Sequence, residues 1–341
     1  MKVNQKLNSK FDVNNFDLRD GWLPAHIKYQ KGEALVELVH FPSCRLQEKF
    51  LHWDLNKCHE KVYITMKELQ KMKLPDVTLS GQIYHLSRVG STLVSEMFRV
   101  LDYCIVLSEP QCISDIFLDP FDTPEHVKLN SIRTLLAVFS HVLGGGKKVI
   151  IKWSSWKILH IEMLNRLYGN VPGCFVVRDP VEVLVALAGK PPGWMRRKKM
   201  ISLIEKDGGK EKSLYWASMN NALLGKVDYY SELSFPEYAA GILAEMCKAA
   251  MISTSLVILD YTDIRDKVPT SLATAFSINP TPEEIEKMQA VCVQNAKVGG
   301  QNTFKPDTER KQIEATPMIR DAAETIVKPA YSKLLATFAK H

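Results

Sequence analysis

Four short apolar runs, each followed by a stretch with helical spacing, set the tightest limit on what this chain can fold into. Val77 to Leu86 leads into Thr92 to Leu101. Ile105-Val106-Leu107 precedes a helical pattern from Glu125 to about Leu143, which Gly144-Gly145-Gly146 stops. Val149-Ile150-Ile151 precedes Trp156 to Tyr168, and Cys174-Phe175-Val176-Val177 precedes a helix opening at Asp179-Pro180. Fully apolar strands belong to sheets covered on both faces, and intervening helices return each strand parallel to the last. The expected fold is α/β, a mostly parallel sheet with helices on both faces. In such sheets ligands collect at the carboxyl ends of strands, so the residues just after each run carry the functional interest.

The richest of these ends is Ile83-Tyr84-His85-Leu86-Ser87-Arg88-Val89-Gly90-Ser91-Thr92, a strand passing through small and hydroxylated residues into a helix. Arg88, Val89, Gly90, Ser91 and Thr92 bring backbone N–H groups, hydroxyls and a guanidinium to a helix N-terminus, where a phosphate is best held. The arrangement is P-loop-like, but the Gly-x-x-x-x-Gly-Lys-Ser/Thr pattern is absent. No Lys precedes Ser91, and the first Gly is missing. An ordinary Mg-nucleotide is therefore a poor expectation.

Outside this region the chain divides at about residue 75. Residues 1-75 are expected to form a small N-terminal α+β extension, with a strand over Ala34 to Val39 and a short helix from Tyr63 to Lys71. Residues 76-341 form the main domain. Beyond Gly189 a basic, Pro-broken loop runs from Lys190 to Lys199. Helices are expected over Ser213 to Val227, Phe235 to Met251, Pro282 to Lys297 and Met318 to Phe338. A polar loop, Val298 to Asp307, separates the last two. The net charge of +6 over 341 residues is too mild for a polyelectrolyte binder. Seven cysteines without a CxxC pair point to reduced core thiols rather than a disulfide frame or a zinc site. No apolar run reaches the ~20 residues that cross a bilayer, and the polar start lacks a signal-peptide core. The expectation is a cytoplasmic protein with no membrane and no nucleic-acid partner; oligomeric state leaves no mark in the sequence.

Three strand ends together present Ser87 to Thr92, then Lys152 after Val149-Ile150-Ile151, then Arg178-Asp179-Pro180 after Phe175-Val176-Val177. In this order they resemble the sulfotransferase family, whose members use 3′-phosphoadenosine-5′-phosphosulfate (PAPS) and release 3′,5′-ADP. The similarity continues through Leu259-Asp260-Tyr261-Thr262-Asp263-Ile264, Phe304-Lys305-Pro306-Asp307 and the late helix with Tyr331, and so covers about residues 78 to 340. The resemblance implies that Arg88, Gly90, Ser91 and Thr92 hold the 5′-phosphate end of the donor and that Arg178 grips the 3′-phosphate with its bidentate fork. It implies that Lys152 neutralises charge on the bridging oxygen as the sulfuryl group departs, without a metal. The acceptor would be a hydroxyl or amine of a small molecule.

The chain departs from the family pattern twice. The His that many small-molecule members place two residues after the Lys is Ser154 here. Leu107-Ser108-Glu109-Pro110 instead matches relatives that use a Glu as general base, so Glu109 is the expected base, with His160 and His85 in reserve. The Ser usually found eight residues after the second-motif Arg is Ala186, a loss for which Lys190 or the basic loop could compensate. Two alternatives from other classes stay open: a P-loop kinase or other phosphoryl transferase, and a non-catalytic nucleotide-binding protein.

Overall fold

The computed structural model describes residues 17–30, 32–43, 45–72, 74–119, 121, 123–144, 146–195, 233–253, 255–293 and 307–339. The elements used below are, in chain order, β1 (Trp22–Gln30), β2 (Glu33–His40), α1 (Leu51–Leu55), β3 (Lys61–Thr65), α2 (Met66–Lys71), β4 (Leu79–His85), α3 (Ser91–Arg99), β5 (Cys104–Ser108), α4 (Gln111–Phe117) and α5 (Glu125–Gly144). There follow β6 (Lys148–Lys152), α6 (Ile161–Tyr168), β7 (Gly173–Val177), α7 (Pro180–Gly189), α8 (Phe235–Ala250), β8 (Leu256–Asp260), α9 (Pro282–Ala290), α10 (Thr308–Glu314), α11 (Pro317–Ala322) and α12 (Lys328–Phe338). The chain falls into two compact units, one formed by residues up to Thr78 with Glu109–Val149, the other by Leu79–Ser108 with Ile150 onward. The sequence division at 75/76 did not include the grouping of 109–149 with the N-terminal residues.

The first unit carries an antiparallel sheet in the order β1-β2-β3. Its edge strand β1 breaks register between Pro24 and His26, and there the Ile27 amide donates to the Asp115 carboxylate of α4 at 2.9 Å. A side chain thus satisfies an edge N–H that no strand pairs, which ties the 109–149 segment to the N-terminal sheet. The helix expected from Tyr63 begins only at Met66, because Tyr63, Ile64 and Thr65 pair with β2. Thr65 then caps α2 in a reciprocal capping box with Glu68.

Buried in that sheet is Glu37, which accepts from Lys28 at 2.7 Å, Lys61 at 2.9 Å and the Tyr63 hydroxyl at 2.7 Å. Burial raises its pKa, but the three donors together outweigh burial and hold it down at about 2. A depressed carboxylate stabilises the fold above its unfolded value near 4.5, and that stability is lost as pH falls toward 2. With allowance for solvent around the two lysines, Glu37→Gln is expected to lose about 1–2 kcal/mol at pH 7. The difference from the parent should vanish by about pH 2 in denaturant titrations at each pH; a gap that persists there would contradict the assignment.

The second unit carries a five-stranded parallel sheet, order β5-β6-β4-β7-β8, flanked by helices. Every residue of β5 and β7 is buried, as the apolar runs required. Gln82 on β4 is a buried junction. Its side-chain carbonyl accepts from Trp153 Nε1 at 3.1 Å and the Tyr84 hydroxyl at 3.0 Å, while its amide donates to the Tyr168 and Val171 carbonyls. With every polar partner supplied, this network sets where β6 ends against β4. The helix expected over Trp156 to Tyr168 is a 3-10 segment over Ser155–His160 and then α6, since Lys157 N donates three residues back to Ser154 O at 2.9 Å. The late helix is α11 and α12 joined by a π segment, Ala323–Val327. The expected helix at Ser213 to Val227, the cluster Arg196 to Lys199 and the loop from Val298 to Pro306 lie outside the described residues, as do positions 294–297.

Candidate anion site at the strand ends

After β4, the Leu86 amide still pairs with the Val176 carbonyl of the β7 side at 3.0 Å, and the chain then turns through Ser87–Gly90 into α3. The turn uses the left-handed region twice, at Arg88 (φ 64°) and Gly90 (φ 84°). Gly90 is the N-cap of α3 and no side chain caps that end; Leu93 N donates to Gly90 O at 2.8 Å, so the Ser91 and Thr92 amides are the ones a helix-start anion site would use. Val89 is fully buried; of the expected ligands it offers its main chain alone. The buried His85 ring faces two carbonyl oxygens, Leu86 O at 2.9 Å and Trp153 O at 3.1 Å, and straps the start of the turn to the end of β6.

A Cβ at Gly90 would lie 2.9 Å from the Tyr261 ring and 3.1 Å from Ile264. Alanine there is expected to lower stability by about 1–2 kcal/mol, from the left-handed backbone and the displaced ring together. Alanine at Gly189, where a Cβ meets nothing within 4 Å, is the control. Urea titration that finds the two variants equal would contradict this reading of the turn.

Sheet order makes the functional strand ends neighbours, because β6, β4, β7 and β8 lie side by side and adjacent strands are about 4.8 Å apart. Lys152, the last residue of β6, is 1 % exposed, and the next amide, Trp153 N, donates to Ile83 O of β4 at 2.9 Å. A second buried lysine stands nearby in sequence: Lys157, with Nζ 5.2 Å from the Trp156 ring centroid and 5.9 Å from that of Trp153. Sequence reasoning passed over Lys157, since a lysine in an amphipathic stretch reads as solvated; the flanking Trp153 and Trp156 were the available signal. His160 is half-buried and edge-on to Trp156 at 5.7 Å. Lys190 is exposed, and its main-chain carbonyl accepts a hydrogen bond from the Arg88 guanidinium. Partial burial pushes Arg88 below its ordinary pKa.

Arg178 follows β7 and is 5 % exposed. Its Nε donates to Glu182 Oε2 at 2.6 Å, its Nη2 to Asp307 Oδ1 at 2.6 Å, and its guanidinium lies 3.9 Å from the Tyr261 ring centroid. The same Tyr261 ring packs against Gly90, so it links the turn to Arg178. Lys311 Nζ reaches the other Asp307 oxygen at 3.0 Å. Burial raises the Asp307 pKa, but hydrogen bonds and charge from Arg178 and Lys311 outweigh it and hold the carboxyl low. Beside Arg178 is a cavity of about 170 Å³, lined also by Asp179, Glu182, Asp260, Thr262, Thr308 and Tyr331. Burial first, and then the Asp260 and Asp179 charges, push the Tyr331 phenol up, the sign of a negative local field. Asp307, Glu182 and Lys311 were not among the expected site residues. Asp307 lies 129 positions from Arg178, and nothing local marks the pairing.

Glu109 directly follows β5 and has φ 53°. With Arg88 and Ser277 it completes the non-glycine positive-φ residues among the described ones. Backbone strain of this kind costs about 1 kcal/mol or more and gathers at functional positions. It belongs to the first compact unit.

For a nucleotide donor, the 5′ half of the site fits: an uncapped helix start, hydroxyls at Ser91 and Thr92, and Arg88. At the 3′ half the residues suit a phosphate poorly, because Glu182 and Asp307 already hold the Nε and Nη2 donors of Arg178 and Asp179, Glu182 and Asp260 line the cavity beside it.

A parallel α/β sheet flanked by helices, with a helix start that no side chain caps at its strand ends, is the class of fold that the described residues define. No family model matches the chain, and no curated protein matches it. Among solved structures, a sulfotransferase from Alicyclobacillus acidocaldarius aligns at TM-score 0.40 and 12% identity, over 77% of this chain and 96% of that one. A sulfotransferase domain from the curacin biosynthetic pathway aligns at 0.35 and 14% identity, over 78% and 99%. A mouse sulfotransferase complexed with PAP aligns at 0.32 and 13% identity, over 90% and 99%. No helix among the described residues is long and apolar enough to cross a membrane.

Proposed function

We propose that the chain is a sulfotransferase that takes its sulfuryl group from a nucleotide phosphosulfate, PAPS being the donor the resemblance implies, and passes it to a hydroxyl or amine of a small molecule. One observation carries the reading: the uncapped start of α3, Lys152 and Arg178 stand at the ends of three adjacent strands, with Tyr261 packed between Gly90 and Arg178. The donor, when bound, supplies the sulfuryl group and a phosphate leaving group. Arg88 and the first-turn amides of α3, with the Ser91 and Thr92 hydroxyls, bind the 5′-phosphate. Lys152, in a buried site where charge is poorly screened, neutralises charge on the bridging oxygen. Glu109 accepts the proton that the acceptor loses.

Incubating purified protein with PAPS and, separately, with adenosine 5′-phosphosulfate, each with a library of phenols, alcohols and amines, and measuring release of 3′,5′-ADP or 5′-AMP, tests the proposal; turnover with one of the two donors and at least one acceptor class is expected. Consumption of ATP that depends on Mg would instead favour phosphoryl transfer.

A further inference from the structure

The surroundings of Arg178 bear on which nucleotide the site accepts. The guanidinium is engaged three ways: by Glu182 at 2.6 Å, by Asp307 at 2.6 Å and by the Tyr261 face at 3.9 Å. Thr308 donates to Glu182 Oε2 at 3.2 Å, so both carboxylates are held in place by further partners, Asp307 by Lys311. Among the described residues that line the adjoining cavity of about 170 Å³, Asp179, Glu182 and Asp260 stand against one cation, Arg178. Ala186 offers no hydroxyl on α7. A phosphate dianion brought here meets like charge, and at the Nε and Nη2 donors of Arg178 it competes with carboxylates already bonded there. A ribose hydroxyl meets the opposite situation, since it carries no charge and can donate its proton to one of these carboxylates. Dinucleotide sites draw the same distinction, with an acid for a free ribose hydroxyl and an Arg for a ribose phosphate.

We propose that this chain selects a nucleoside 5′-phosphosulfate whose ribose hydroxyls are free, with Asp307 and Glu182 as the residues that exclude a 3′-phosphate. The proposal rests on the reading of Ser87–Thr92 as the 5′-phosphate site. In the transfer, the bond from sulfur to the bridging oxygen breaks and a bond from sulfur to the acceptor oxygen or nitrogen forms. The electron pair stays on the bridging oxygen, giving the nucleoside 5′-phosphate, and the acceptor proton passes to the base.

Calorimetric titration of the full chain with 5′-AMP and with 3′,5′-ADP, at one pH and one salt concentration, tests it. The expected result is that 5′-AMP binds at least tenfold tighter. Asp307→Asn and Glu182→Gln should each narrow that ratio at least threefold by improving 3′,5′-ADP binding. Equal or tighter binding of 3′,5′-ADP by the parent protein overturns the donor assignment and leaves the nucleotide reading standing. Binding of neither nucleotide overturns the nucleotide reading, and this inference with it. The parent ratio decides the matter by itself if either variant fails to fold.

Discussion

Lys152→Met is expected to lower kcat by about 10²–10³ while leaving donor affinity within about threefold. Methionine keeps the unbranched stem that fills the buried end of β6, where Lys152 is 1 % exposed, and removes only the ammonium. The ammonium is assigned to charge that grows on the bridging oxygen as the sulfuryl group leaves, so its loss raises the barrier more than it weakens the ground-state complex. A rise in KM at unchanged kcat would show that Lys152 binds the donor uniformly and would refute the catalytic role. Lys157→Met is the informative companion. Lys157 is also buried, but its Nζ sits near the Trp153 and Trp156 rings, and a drop in stability larger than the drop in kcat is expected.

For Glu109, the expected result is a divergence between stability and turnover. Glu109→Gln should reduce kcat by about 10²–10⁴, the range for a lost general base, and flatten the acid limb of the pH–rate profile. Glu109→Gly should lose activity as completely and yet unfold at the same or a higher temperature, because glycine relieves the strain of φ 53°. Near-normal kcat in the glutamine variant would transfer the base role elsewhere. A glycine variant that unfolds well below the parent would show that the Glu109 side chain is structural.

The strand ends were legible because their signals are local. The apolar runs now called β4 to β7 could be read from consecutive residues alone, three each for β5 and β6, four for β7 and ten for β4, and the Gly90 turn from the small residues between a strand and a helix. Short polar elements were harder. β1, where His26 and Lys28 alternate with Ile27 and Tyr29, passed unremarked, and β3 was merged in part into the following helix. Their strand character comes from pairing with β2, an interaction across sequence that no local propensity reports. The attachment of 109–149 to the N-terminal sheet is likewise non-local: α4 and α5 pack on β1, and the Asp115 carboxylate meets the Ile27 amide and the His26 ring.

Sequence alone determined the α/β class, the alternation of strands and helices from β4 to α7 apart from α4, and which residues stand at the strand ends, since hydrophobic period and chain connectivity are properties of neighbours along the chain. It also named Arg88, Lys152 and Arg178. Tertiary structure decided what those cations face: a lysine main-chain carbonyl for Arg88, a buried strand end for Lys152, and for Arg178 the carboxylates of Glu182 and Asp307. Charge acts through space and is strengthened by burial, so the effective charge of a site depends on partners from distant segments that only the folded chain brings into contact.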